Sequence, residues 1–213
     1  MIKEFEKRLL SSIILIPFLF TVIFVGSYLF IIFMVICLII TLYEWHMMSK
    51  NKSYNILGHL FLLFSFYSIY FVRNELDDKS LFVFLFIILI CISTDIGGYL
   101  FGKIFKGPKL TQISPNKTLS GSFGSFFLSI LTSILLLGYI FNTDLFDNFL
   151  LGFFVSLSVQ AGDLFFSYLK RKSSTKNTGN ILPGHGGVLD RIDGILLGLP
   201  VGLIYISILV FTG

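Results

Sequence analysis

Long apolar runs dominate this chain, and a run of about 20 such residues allows few folds. In hydrocarbon no water is present to satisfy backbone N–H and C=O groups, so a spanning segment must close its own hydrogen bonds as a helix or join a closed barrel. A helix needs about 20 predominantly apolar residues to cross. Seven segments meet that length, at about 9–25, 28–47, 54–72, 81–101, 122–141, 149–169 and 192–211. Only 13% of residues are charged and 55% are hydrophobic. A soluble domain carries about 25% charge, so a water-facing surface cannot be built from this composition. The expected fold is an all-α, polytopic transmembrane bundle of about seven spans. Residues 1–80 read as N-terminal transmembrane hairpins and 81–213 as the catalytic region, in one membrane domain. The first run follows Lys3, Lys7 and Arg8 in the manner of a signal peptide. No small-x-small site follows it, and the next run begins at Tyr28, so it reads as an uncleaved first span.

Positive charge orients the bundle. With the N-terminus cytoplasmic, 14 of the 16 basic residues fall on the cytoplasmic side and only Arg73 and Lys79 on the other. The polar loops at about 102–121 and 170–191 then emerge on the same face. The net charge of +4 is accounted for by such loops and calls for no nucleic-acid partner.

Asp95, Asp163 and Asp193 lie within or at the edge of apolar segments, and Asp190 comes just before the last. An Asp at the bilayer centre costs roughly 2.5–3.5 kcal/mol, so such acids face a metal, a proton path or a basic partner unless they sit shallow in the interface. Asp190 and Asp193 are three residues apart and would share a helix face. Asp163 arrives from another span ending on the same side. Converging carboxylates make a hard-oxygen site of the kind that holds Mg²⁺ with substrate phosphates. Cys37 and Cys91 lie in apolar runs and offer neither a disulfide framework nor a metal motif. His46 and His59 stand alone.

The loop Gly179-Asn-Ile-Leu-Pro-Gly-His-Gly-Gly187 combines glycine turns with a following helix N-terminus, an arrangement that favours anions. Positive-inside topology alone would explain the flanking Lys170, Arg171, Lys172, Lys176 and Arg191. It does not explain Pro-Gly-His-Gly-Gly beside Asp-Arg-Ile-Asp. Lys117-Thr118 looks like the end of a P-loop, but the Gly-x4-Gly-Lys spacing and the preceding strand are absent. Gly194, Gly198 and Gly202 recur every four residues and predict a close-packing face, inside the bundle or between subunits of a homodimer.

Ser167-Tyr-Leu-Lys170-Arg171, Lys176, and Leu182-Pro-Gly-His-Gly-Gly-Val-Leu-Asp-Arg-Ile-Asp193 together resemble the signature of phosphatidate cytidylyltransferases. Thr94-Asp95 through Gly102-Lys103, Ile113-Ser-Pro-Asn-Lys-Thr118 and Ala161-Gly-Asp163-Leu also resemble segments of that family. The resemblance covers about residues 94–213; the first three spans match in general character only. Where the family pattern has Lys-Asp, this chain has Lys176-Asn177. The resemblance implies a Mg²⁺-dependent reaction of CTP with phosphatidate, with K⁺ a further candidate cation. It implies metal ligation by Asp163 and Asp190, with Asp193 and Asp95 as further ligands. Catalytic charge would come from Lys170, Arg171 and Arg191. Substrate contacts would come from Lys103, Lys117, Ser167, Lys176, His185, Gly186 and Gly187. It further implies an integral protein of a bacterial cytoplasmic membrane, with its site on the cytoplasmic face. The rivals are a CTP-dependent lipid-alcohol kinase, an ether-lipid cytidylyltransferase and, more remotely, an ion-coupled transporter. The transporter predicts inverted repeats and broken helices, and no repeat is visible.

Overall fold

The computed structural model describes Ile13 and residues 17–74, 80–141, 143–182 and 186–212. The chain is an all-α polytopic membrane protein. Its helices are α1 (residues 17–25), α2 (Ser27–Ser49), α3 (Asn55–Asn74), α4 (Ser80–Phe105), α5 (Leu119–Phe141), α6 (Leu145–Lys172), α7 (Leu189–Ile192) and α8 (Ile195–Thr212). Among the described residues the only β pairing is two isolated bridges, Lys109 with Thr118 and Leu182 with Gly186. Helices α2 to α6 each contain a stretch long and apolar enough to cross a membrane. They match the second to sixth expected spans. Of the first expected span only Ile13 and α1 are described. Lys3, Lys7, Arg8 and Lys79 lie outside the described residues.

Two boundaries differ from expectation in a way that matters. Helix α6 has 28 residues, about 42 Å at 1.5 Å per residue, so it outruns a hydrocarbon core of about 30 Å. Its last turn, Lys170 to Lys172, can therefore stand clear of the apolar layer. The seventh expected segment is not one helix. The four-residue α7 ends at Ile192, Asp193 and Gly194 form a turn, and α8 follows. The Gly194 amide donates to Asp193 Oδ1 at that break.

Glycines set how closely the helices approach. A Cβ at Gly97 of α4 would lie 2.3 Å from the Gly124 carbonyl oxygen of α5, and one at Gly121 would lie 2.7 Å from that of Gly98. Such contact is available only to small residues. A Cβ at Gly194, just before α8, or at Gly198 on it would strike Val159 of α6, and one at Gly202 would strike Ile87 of α4. The Gly194/Gly198/Gly202 face therefore lies inside the bundle. Cys91 is buried beside Gly198, Cys37 is half-buried, and both are free thiols.

Trp45 ties the N-terminal hairpin to the rest. It is buried, its Nε1 donates to the Asn55 carbonyl at 2.9 Å, and its ring meets Phe166 of α6 edge-on. Gly58 makes room for it, since a Cβ there would come within 1.9 Å of the indole. The C-terminal ends of α2, α4 and α6 and the N-terminal ends of α3, α5 and α8 gather at one end of the bundle. Contacts between Tyr54 and Ser173, Gly102 and Thr118, and Glu44 and Val188 fix that gathering. At the opposite end Arg73 donates to the Ile23 carbonyl that closes α1.

Candidate active site

The site lies at the end where the two polar loops meet. The first loop begins with Lys106 and Gly107, both at positive φ (53° and 108°). It then doubles back, with the Leu110 amide bonded to the Lys117 carbonyl and the Leu119 amide to Pro108. Thr118 caps α5 by accepting the Gly121 amide at 3.1 Å. Lys117 is thereby presented at the mouth of α5, where its ammonium pairs with Asp163 of α6.

That pair lines a cavity of about 190 Å³ between α4, α5, α6 and the loop. Its polar lining includes Asp95, Lys117, Ser122, Gln160 and Asp163. Ser122 donates to Gln160 Oε1 at 2.5 Å, and Ser125 to the Thr94 carbonyl at 2.7 Å. Ser167 lies one turn beyond Asp163 and reaches its Oδ1 at 3.4 Å. Lys103 sits at the rim, 3.4 Å from the Tyr99 hydroxyl, and is exposed.

A second cluster adjoins the first. Lys170 donates to Asp190 Oδ1 at 2.9 Å and to Asp193 Oδ2 at 3.5 Å. The three side chains are only 12%, 8% and 14% exposed. The helix break has not separated the two acids, because one lysine still bridges both. Gly162, next to Asp163, lets the chain before α8 pack close; a Cβ there would lie 2.9 Å from the Asp193 carbonyl oxygen. Asp163 consequently stands near enough to both Asp193 and Asp95 to repel them. Four carboxylates and two lysines thus run from the cavity to the second loop.

Asp190 also organises that loop. Its Oδ2 accepts the amides of Thr178 at 2.9 Å and Gly187 at 3.1 Å. Burial disfavours its charge, but Lys170 and these two N–H groups outweigh burial and hold its carboxyl below the usual range. Leu182 and Gly186 exchange both backbone hydrogen bonds, and Gly186 has φ +87°, where a side chain would be strained. Gly186 rests between Asp190 and Asn177: a Cβ there would lie 3.1 Å from Asp190 Oδ2 and 3.5 Å from Asn177 Cγ. His185 lies outside the described residues.

Arg171, one residue on from Lys170, lines a separate open depression with Gln112, Ile113, Pro115, Tyr168 and Lys172. Lys172 lies over the rings of Tyr54 and Tyr168. Lys176 and Arg191 are exposed.

A model of the cytidylyltransferase family matches residues 6–76 and 59–209. The chain belongs to the cytidylyltransferase family. A phosphatidate cytidylyltransferase of Rickettsia felis is 36% identical over 212 residues, covering 95% of this chain and 92% of that protein. One from Staphylococcus aureus is 37% identical over 166 residues, 74% of this chain and 62% of that protein. One from Helicobacter pylori is 34% identical over 151 residues, 70% of this chain and 55% of that protein. The family match reaches through α2 and α3, well upstream of the motifs at 94–213.

That upstream half of the cytidylyltransferase supplies a residue the sequence reading passed over. Glu44 of α2 is 1% exposed, and its carboxylate accepts from Val188 N, Leu189 N and the Thr178 hydroxyl. An acid ending an apolar run was visible in sequence.

Proposed function

We propose that this cytidylyltransferase joins CTP to phosphatidate, giving CDP-diacylglycerol and pyrophosphate. The observation that supports it best is the pair of half-buried to buried lysines, Lys117 and Lys170, set among Asp95, Asp163, Asp190 and Asp193 beside a glycine-built loop. Two anionic substrates need such cations, and the acids keep the lysines in place before substrate arrives. The relatives carry the same activity in their names.

In the reaction a phosphate oxygen of phosphatidate bonds to the α-phosphorus of CTP. The bond from that phosphorus to the bridging oxygen of the β-phosphate breaks, and pyrophosphate leaves with the electron pair. Such transfers ask for positioning and charge neutralisation rather than covalent chemistry from the protein. Lys170 holds the triphosphate beside the glycine-built loop, with exposed Lys176 and Arg191 near the loop's two ends. Lys117, Ser122 and Gln160 in the cavity face the lipid phosphate, with Lys103 at the rim. Arg171 faces the depression beside the first loop and serves the outer part of a substrate.

The donor set can be weighed for Mg²⁺. Among the described residues no three His, Cys, Asp or Glu side chains form a cage for a metal ion. Mg²⁺ usually takes one or two carboxylates and completes its shell with water and phosphate oxygens. Asp163, with Asp193 or Asp95 beside it, fits that open kind of site. Asp190 fits less well, because Lys170 and two amides already occupy most of its lone pairs. When bound, the ion would neutralise phosphate charge. K⁺ finds no dedicated group among the described residues.

The basic end of the bundle faces the cytoplasm, and the membrane is the bacterial cytoplasmic one. Lipid tails then stay in the bilayer while the head group reaches the cavity. Purified protein with CTP labelled in the cytosine ring, phosphatidate and Mg²⁺ tests the reading. The expected products are labelled CDP-diacylglycerol and pyrophosphate. Release of labelled CDP with a lipid alcohol as acceptor would instead assign a kinase.

A further inference from the structure

Among the described residues Glu44, 1% exposed, is the most deeply buried acidic or basic residue. Nothing in the reaction above uses it. Its partners lie more than 130 residues away in sequence, in the loop before α7 and at the first residue of α7. Oε1 accepts the Val188 amide at 3.0 Å; Oε2 accepts the Leu189 amide at 2.9 Å and the Thr178 hydroxyl at 3.1 Å. The N-cap residue of α7, Val188, has no side chain able to cap. Glu44 supplies that cap from another helix, satisfying two amides that would otherwise be buried without partners.

Glu44 and Asp190 hold the loop from two sides. Thr178 gives its amide to Asp190 and its hydroxyl to Glu44. Across the loop, Gly187 gives its amide to Asp190, and Val188 gives its own to Glu44. Two glycines make the approach feasible: a Cβ at Gly179 or at Gly187 would lie 2.6 Å from a Glu44 carboxylate oxygen. Trp45 in turn fixes α2 against Phe166 of α6 and against α3.

We infer that Glu44 is a positioning residue of the reaction. From the N-terminal hairpin it sets the positions of Thr178, Val188 and Leu189, and through them the binding of the nucleoside triphosphate. The identity of that ligand rests on the function proposed above; the contact between Glu44 and the loop does not. Glu44→Gln keeps the size of the side chain but turns one carboxylate oxygen into an N–H donor. At least one of the Val188 and Leu189 amides then faces a donor.

The test compares the full chain with Glu44→Gln, both purified as single folded species in detergent. Amide hydrogen exchange should rise in peptides covering 178–189 and stay unchanged in α4 and α5. KM for CTP should rise about tenfold, the effect of one hydrogen bond lost, with KM for phosphatidate unchanged. A lower yield of folded protein with normal exchange and normal KM for CTP would reduce Glu44 to a structural residue and overturn the inference. So would an equal rise in both KM values. If Glu44→Gln does not fold, Thr178→Val removes only the hydroxyl contact. It should raise KM for CTP in the same sense by a smaller factor, and an unchanged KM would overturn the inference. Wild-type protein with no CTP turnover would refute the proposed function, and the exchange measurement would still decide the role of Glu44.

Discussion

Lys170, Asp190 and Asp193 form a buried triad whose energetics can be worked from its geometry. Replacing Lys170 with Met keeps much of the volume but strands two carboxylates that are 8% and 14% exposed. Removing one partner of a buried ion pair costs about 3–5 kcal/mol, and the second acid puts this variant at the upper end. Asp190→Asn is milder, because Lys170 keeps Asp193 at 3.5 Å. The amide oxygen can still accept from Thr178 or Gly187, but its NH₂ must then face Lys170. One charge-assisted hydrogen bond is lost, worth about 1.5–3 kcal/mol. The double variant removes both ends of the shorter bond, so its cost should fall below the sum of the two by about 1–3 kcal/mol. Unfolding in mixed micelles by increasing SDS would measure all four proteins. Additivity within about 0.5 kcal/mol would show that the two side chains do not interact, refuting the reasoning. Acid adds a check on sign. The Asp190 carboxyl titrates lower folded than unfolded. Its contribution is therefore present above an unfolded value of about 3.9 and lost as pH falls through the folded value. The advantage of wild type over Asp190→Asn should thus be constant near neutrality and shrink only under strong acid.

Asp163→Asn removes the partner of Lys117 and should lower CDP-diacylglycerol synthesis about a hundredfold in folded protein; near-normal synthesis at low Mg²⁺ would take this acid out of the site. Gly97→Ala places a Cβ 2.3 Å from the Gly124 carbonyl oxygen and should cost about 1–3 kcal/mol by overpacking, read as a lower unfolding midpoint. Asn177→Asp adds a charge at an exposed position across Gly186 from Asp190. It should change turnover or Mg²⁺ dependence by no more than about fivefold, the scale of an exposed charge pair; conversion of an inactive protein into an active one would contradict this. With the 14 basic residues on the cytoplasmic face, as proposed, cysteines at Ser114 and Ser174 should resist impermeant reagents added outside intact cells.

Much of this protein could be read along the chain because its solvent acts locally. A run of apolar residues must close its own backbone hydrogen bonds in lipid, so the helices at 27–49, 55–74, 80–105, 119–141 and 145–172 follow from composition alone to within a few residues. The acids Asp95, Asp163, Asp190 and Asp193 stood out for the same reason. Sequence could not decide how these acids are shared among lysines. That depends on α6 continuing as far as Lys172 to carry Lys170 to Asp190 and Asp193, and on a loop turning Lys117 toward Asp163. Nor could it decide that the chain breaks at Asp193–Gly194, or that the glycines of α8 face α4 and α6 rather than a second subunit. Glu44 marks the limit most clearly. Along the chain it is one acid at the end of an apolar helix. Only the packing of α2 against α3 and α7 brings it to two backbone amides 144 and 145 residues away, since contacts between elements are set by shape and burial, which no local pattern encodes.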